Sequence, residues 1–212
     1  MKTDDLIRAL GADSRNAGPS IDRAWLTGGA AAVALAAIVF FATIGPRADF
    51  MAAAHTMRFL FKFVFTASLA LTAFLCARAF SMPGAYSRRM GLALLLAPAL
   101  MIAAVMAELT VMPEQTWMPR MIGTNSMICM SFIPLIGIGP LAVFIAVLRY
   151  GAPTRPVLAG ALAGLLAGGL GATFYAAHCF DDSPLFVAVW YTIAIAVMAA
   201  LGAIAGRVFI RW

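Results

Sequence analysis

His178 and Cys179 place an imidazole beside a thiol, and two carboxylates, Asp181 and Asp182, follow at once. A second thiol, Cys129, stands earlier in the chain, as do Glu108, Glu114 and His55. Thiolate, imidazole and carboxylate together are the donor set of a soft or borderline metal ion. Two thiols whose Cα atoms lie within about 7 Å could instead oxidise to a disulfide in an oxidising compartment. The same residues have plain structural uses. Cysteine is commonly a small buried hydrophobe, the simplest role for the third cysteine, Cys76. Asp182-Ser183-Pro184 has the make-up of a helix start, with Ser183 as cap, Pro184 in the first turn and the acids near the positive end. Catalytic spacings are missing: there is no His-Glu-x-x-His, no Gly-x-Ser-x-Gly, no phosphate-binding Gly-rich loop and no Cys-x-x-Cys. The chain is not expected to be an enzyme.

Which of these groups can meet depends on six apolar runs, Trp25–Ile44, Phe59–Phe80, Met90–Met112, Met127–Leu148, Val157–Ala177 and Leu185–Ile210. Each is close to the ~20 residues a helix needs to cross ~30 Å of hydrocarbon. The 212 residues are 63% hydrophobic, with a mean hydropathy of +0.94, which excludes a soluble globule of this length. The expected fold is all-α: a polytopic membrane protein with six transmembrane helices and short loops. Residues 1–24 form a tail, residues 25–212 the transmembrane domain. No cleavable signal peptide is evident before the first run.

Charge sets the expected orientation. With the N-terminus in the cytoplasm, eleven of the fifteen Lys and Arg fall on that side: Lys2, Arg8, Arg15, Arg23, Arg78, Arg88, Arg89, Arg149, Arg155, Arg207 and Arg211. Both termini are therefore expected in the cytoplasm. The basic pI reflects this topology and anionic headgroups, not nucleic acid binding. Cys129 then begins the fourth run and Cys179 ends the fifth, so both thiols belong near the outer boundary with His178, Asp181 and Asp182. Arg58 and Lys62 are expected to snorkel outward as anchors. Trp25, Trp117 and Trp212 are expected at headgroup depth. No charge falls near the middle of a run, which argues against an ion-coupled transporter. Gly160, Gly164 and Gly168 in the fifth run, and Gly202 and Gly206 in the sixth, predict close helix packing or a homodimer face. Pro98, Pro134 and Pro140 predict bends.

The tail holds one further element. Thr3 can cap a short helix, Asp4 and Asp5 favour its N-terminus, Gly11 ends it, and Leu6, Ile7 and Leu10 share a face. So short a helix is not stable alone in water. It would order in a partner's groove or on the membrane surface, with Gly18-Pro19-Ser20 as tether.

Met1-Lys-Thr-Asp-Asp-Leu-Ile-Arg-Ala-Leu10, Arg149-Tyr-Gly-Ala-Pro-Thr-Arg-Pro156 and His178-Cys-Phe-Asp-Asp-Ser-Pro-Leu-Phe-Val-Ala-Val-Trp190 resemble the NrsF-type negative regulators of sigma F. These are six-span bacterial anti-sigma factors, and the likeness runs along the whole chain. The resemblance implies a membrane anti-sigma factor that holds an extracytoplasmic-function sigma factor at the inner membrane and releases it on a periplasmic heavy-metal or oxidative signal. It implies sigma contacts at Asp4, Asp5, Leu6, Ile7 and Leu10. Signal sensing would lie at Cys129 and Cys179, with His178, Asp181 and Asp182 beside them. No resident cofactor is implied, only a transient heavy-metal ion on the two thiols. The alternative from another class is a small transporter or channel with its pore at the glycine-rich faces.

Overall fold

A computed structural model describes residues 3–5, 20–82, 84 and 88–210. Six helices in it are long and apolar enough to cross a membrane. They are α1 (Ile21–Thr43), α2 (Met57–Phe80), α3 (Met90–Val111), α4 (Ser126–Leu148), α5 (Pro156–Ala176) and α6 (Pro184–Phe209). Among the described residues there is no strand. The chain is an all-α, multi-pass membrane protein.

Caps set several of the boundaries. Ser20 accepts a hydrogen bond from the Arg23 amide, so α1 begins at Ile21 rather than at Trp25, and Ser20 belongs to the helix start rather than to a tether. Thr56 caps α2 through the Phe59 amide, and Ser183 caps α6 with Pro184 in its first turn, as expected. The helix α4 runs unbroken through Pro134 and Pro140. The interruption falls instead in α3, between the helical stretch that ends at Ala93 and the one over Leu96–Val111. Pro98 has no N–H to give the Leu94 carbonyl, and the helix parts at that point.

In the bundle, α5 is the central helix, packed on α6, α2 and α4, while α1 lies on α4. In its apolar window 61% of residues are buried, against 11% for α3, which sits at the periphery on α2 and the start of α6. Glycine explains the closeness of α5 and α6. A Cβ at Gly160 would strike the Gly202 carbonyl and the Gly206 backbone, and one at Gly164 would strike the backbone of Met198 and Ala199. Small residues let two backbones touch where apolar burial gives no drive. These faces are therefore filled by each other, which removes the pore that the transport alternative would place there.

Trp25 corrects an expectation. It is 1% exposed, and its indole Nε1–H donates to Ser81 Oγ at 2.9 Å. Phe144 stacks on it and Phe74 meets it edge-on. Ser81 in turn accepts the Ala152 amide through its carbonyl. Trp25 thus ties three segments at the end of the bundle that holds Ser20 and Ile210, and is no headgroup anchor. Trp212 lies outside the described residues.

Gly164→Val should lower the thermal unfolding midpoint in detergent, since overpacking a tight contact costs about 1–3 kcal/mol or more. Gly29→Ala meets only the Phe74 ring edge at 3.4 Å and should leave the midpoint unchanged or slightly raised. Equal effects would overturn this assignment of the α5–α6 contact.

Candidate functional site

The expected chemistry gathers at the opposite, distal end of the bundle, where α1, α3 and α5 finish and α2, α4 and α6 begin. Its hub is the connection from His178 to Ser183 between α5 and α6. Nearly every residue of this loop bonds a different element. His178 Nδ1 lies 2.9 Å from the Gly45 carbonyl just beyond α1. A carbonyl only accepts, so Nδ1 carries the proton. The Cys179 carbonyl accepts from Lys62 Nζ in α2 at 2.8 Å and from Arg47 at 3.2 Å. One oxygen of Asp181 accepts from the amides of Thr124 and Asn125 and from the Asn125 side chain, capping α4 from across the bundle. Asp182 pairs with Lys62 at 2.5 Å and with Arg47 at 3.0 Å. Ser183 Oγ donates to Glu108 of α3 at 3.4 Å, and Glu108 also pairs with Arg58 and Arg120.

Lys62 is the second correction. It is 0% exposed, with its ammonium on Asp182 and the Cys179 carbonyl and beside the Phe59 ring, so it does not snorkel. An ammonium fully buried beside the start of an apolar helix needs an anion and further acceptors, and the loop supplies both. Arg47 is held between the Asp49 and Asp182 carboxylates and lies over the Phe180 ring at 4.5 Å. Its guanidinium holds the Asp49 carboxyl below the usual carboxylate range.

The two thiols lie inside this frame. Cys129 and Cys179 are both free and 0% exposed, packed in one cluster with Tyr175 and Tyr191. Burial pushes the Cys179 thiol up, so it is neutral at physiological pH. Asp181 places the thiols relative to each other: it holds the first turn of α4, which carries Cys129, against the loop that carries Cys179. Tyr175 adds a bond from its hydroxyl to the Asn125 carbonyl. His55 and Glu114 are exposed and make no side-chain bond to the loop among the described residues. Cys76 is buried in the other cluster, its thiol on the Met90 carbonyl.

The donor set for a metal ion is smaller than the types alone imply. Among the described residues no three of His, Cys, Asp and Glu converge. His178 Nδ1, one oxygen of Asp181 and the Asp182 carboxylate are engaged by Gly45, the start of α4, and Lys62 and Arg47. Beside the two thiols stands the Tyr191 hydroxyl, which is buried without a hydrogen-bond partner among the described residues. Thiols are soft donors, in contrast to the carboxylate and carbonyl oxygens that suit a hard cation.

Residues that the composition did not mark out complete the site: Arg47, Thr124, Asn125, Tyr175 and Tyr191. A signal existed only for Lys62, since a cation within an apolar run calls for a partner. In the tail, Thr3, Asp4 and Asp5 are helical and exposed. Leu6, Ile7 and Leu10 lie outside the described residues.

The chain matches the protein family described as NrsF, negative regulator of sigma F, over residues 10–212. It belongs to that family. NrsF proteins are thus described as regulators and not as enzymes. The chain is 40% identical over 84 residues to "Anti-sigma-F factor NrsF" of Caulobacter vibrioides (strain NA1000 / CB15N), a stretch covering 40% of this chain and 39% of that protein. It is 43% identical over 81 residues to "Probable anti-sigma-F factor NrsF" of Azospira oryzae (strain ATCC BAA-33 / DSM 13638 / PS), covering 37% of this chain and 38% of that one. Each alignment thus spans about two fifths of the curated relative. No solved structure is a significant match. The NrsF match begins at residue 10, so Asp4, Asp5, Leu6 and Ile7 precede it and only Leu10 of the tail face lies within.

Asp182→Asn should destabilise the protein by about 3 kcal/mol, because it strips the carboxylate from a buried ammonium. Lys62→Met should cost less, since Asp182 keeps Arg47. Unfolding in detergent with the double variant Lys62→Met/Asp182→Asn should show a cost well below the sum. Additive effects would mean the pair is not coupled.

Proposed function

We propose that this protein is a membrane-embedded anti-sigma factor of the bacterial inner membrane, with both termini in the cytoplasm. It sequesters an extracytoplasmic-function sigma factor through its N-terminal segment and releases it on a periplasmic heavy-metal or oxidative signal. The observation that carries this reading is membership of the NrsF family over residues 10–212. The distribution of Lys and Arg supports the orientation, and the distal end, with its thiols, would then face the periplasm.

Asp4, Asp5, Leu6, Ile7 and Leu10 are the proposed sigma contacts, with the three aliphatic side chains entering an apolar groove on the partner. Full burial of each is worth roughly 1.5–3 kcal/mol. The exposed helical turn at Thr3–Asp5 agrees with a segment available to a partner. At the distal end, Cys129 and Cys179 are the proposed sensing pair, and His178, Asp181 and Asp182 hold them in place. A soft metal on the two sulfurs, or their oxidation, changes the geometry of the 178–183 loop. That loop bonds α2, α3, α4 and the segment after α1, so the change passes to helices that reach the cytoplasmic side.

Full-length protein in detergent should capture, from the parent bacterium's lysate, a protein that mass spectrometry identifies as a sigma factor. The variant Leu6→Ala/Ile7→Ala/Leu10→Ala should lose more than tenfold of it, as expected from removing even part of the burial at three such positions. Capture unchanged by the triple variant would move the contact to the inner loops, and no sigma factor with either would overturn the reading. Cys129→Ser/Cys179→Ser should abolish induction of a sigma-dependent reporter by cadmium or peroxide while basal repression persists. Induction that survives in that variant would remove the thiols from the signal path.

A further inference from the structure

Tyr191 has no exposed surface and lies in the π-helical turn Val187–Tyr191 near the distal start of α6. Its hydroxyl is the one buried side-chain nitrogen or oxygen among the described residues without a hydrogen-bond partner. Phenylalanine would fill the same space without that cost. The ring packs on Tyr175 at 5.7 Å and on Phe186 at 6.4 Å between centroids, inside the cluster that holds both thiols. The hydroxyl lies in the same buried cluster as the Cys179 thiol and forms no hydrogen bond of ordinary geometry with it. A π turn inserts a residue into a helix and re-aims the side chains around it, a device frequent at functional sites. Tyr191 is the last residue of that turn.

An unpartnered donor beside two thiols has a chemical explanation. A neutral thiol is a weak acceptor, whereas sulfur bound to a metal as thiolate is anionic and accepts strongly. Groups that donate to a ligating atom orient it and tune its hold on the metal. We propose that Tyr191 is a positioning residue of a Cys129–Cys179 site for a soft divalent cation, its hydroxyl donating to the Cys179 sulfur when that sulfur holds the metal. The inference rests on the reading of the two thiols as a metal-responsive pair. Binding replaces one proton on each thiol, two protons leave to solvent, and no electron is transferred. The hydroxyl then gains the acceptor it lacks in the free protein, so its bond exists only in the bound state. Tyr191 therefore acts on affinity and not on the fold.

The test is a cadmium titration of the full-length protein in detergent, followed by thiolate-to-metal charge-transfer absorption, with the metal-free unfolding midpoint measured in parallel. Tyr191→Phe should unfold at the same temperature or higher without metal. It should bind cadmium roughly tenfold or more weakly, the size expected for losing a hydrogen bond to a charged acceptor. Cys129→Ser/Cys179→Ser should show no absorption band. Cadmium affinity in Tyr191→Phe equal to that of the native protein overturns the proposal, and so does weaker binding accompanied by a lower midpoint, which would make Tyr191 a packing residue. A native protein that shows no band would overturn the metal reading of the thiols, and the inference with it.

Discussion

A fully buried ammonium must be answered by a negative charge and by acceptors that complete its hydrogen bonds. Lys62 finds both on one short loop, the Asp182 carboxylate and the Cys179 carbonyl. The rest of the distal end follows from that pairing. It draws the α5–α6 connection inward over α2, which brings Arg47 onto the same two groups and leaves Asp181 facing the start of α4. Replacing such a pair by apolar residues of similar volume is often neutral or stabilising, so its value lies less in net stability than in the single arrangement it permits. Any other placement of the loop leaves a buried charge unpaired.

The helices beneath are held by a different force. In lipid, apolar side chains gain nothing by leaving their surroundings for one another, so association depends on close packing and internal polar bonds. The glycines of α5 and α6 supply the first, backbone against backbone. The second is concentrated at the two ends. Trp25, Ser81 and Ala152 join segments at one end, and the 178–183 loop does so at the other. Between them the bundle is apolar, with α3 held at the edge by the ion pairs of Glu108 and its bond to Ser183.

This division gives the proposed regulation a physical route. A central helix of 21 residues is about 30 Å long at 1.5 Å per residue, which is the distance a distal signal must cover. Coupling over such a distance is carried by rigid elements that share contacts. The distal loop meets those conditions, because its bonds reach four other segments. The thiols are enclosed by it and fully buried. For a sensor, burial of the thiol is a threshold against casual reaction.

The sequence alone determined the class and the layout. Six apolar runs of spanning length leave helices as the available structure, because a lipid core offers the backbone no other partner. The helix start at Ser183-Pro184, the packing role of the α5 and α6 glycines and the meeting of Cys129 and Cys179 at one end were all legible, since they follow from local chemistry or from counting spans. What a side chain does at the end of its span was not legible. Lys62 and Trp25 look like interface anchors by depth, yet both turn inward, and Asp181 and Asp182 look like ligands by type, yet they serve as a cap and a counter-ion. Tyr191 carries no signal in one dimension at all, because its importance is an unmet hydrogen bond beside a thiol. Such roles depend on which helix faces which, a matter of rotation about each helix axis. Composition is blind to that rotation, and only the packed tertiary structure settles it.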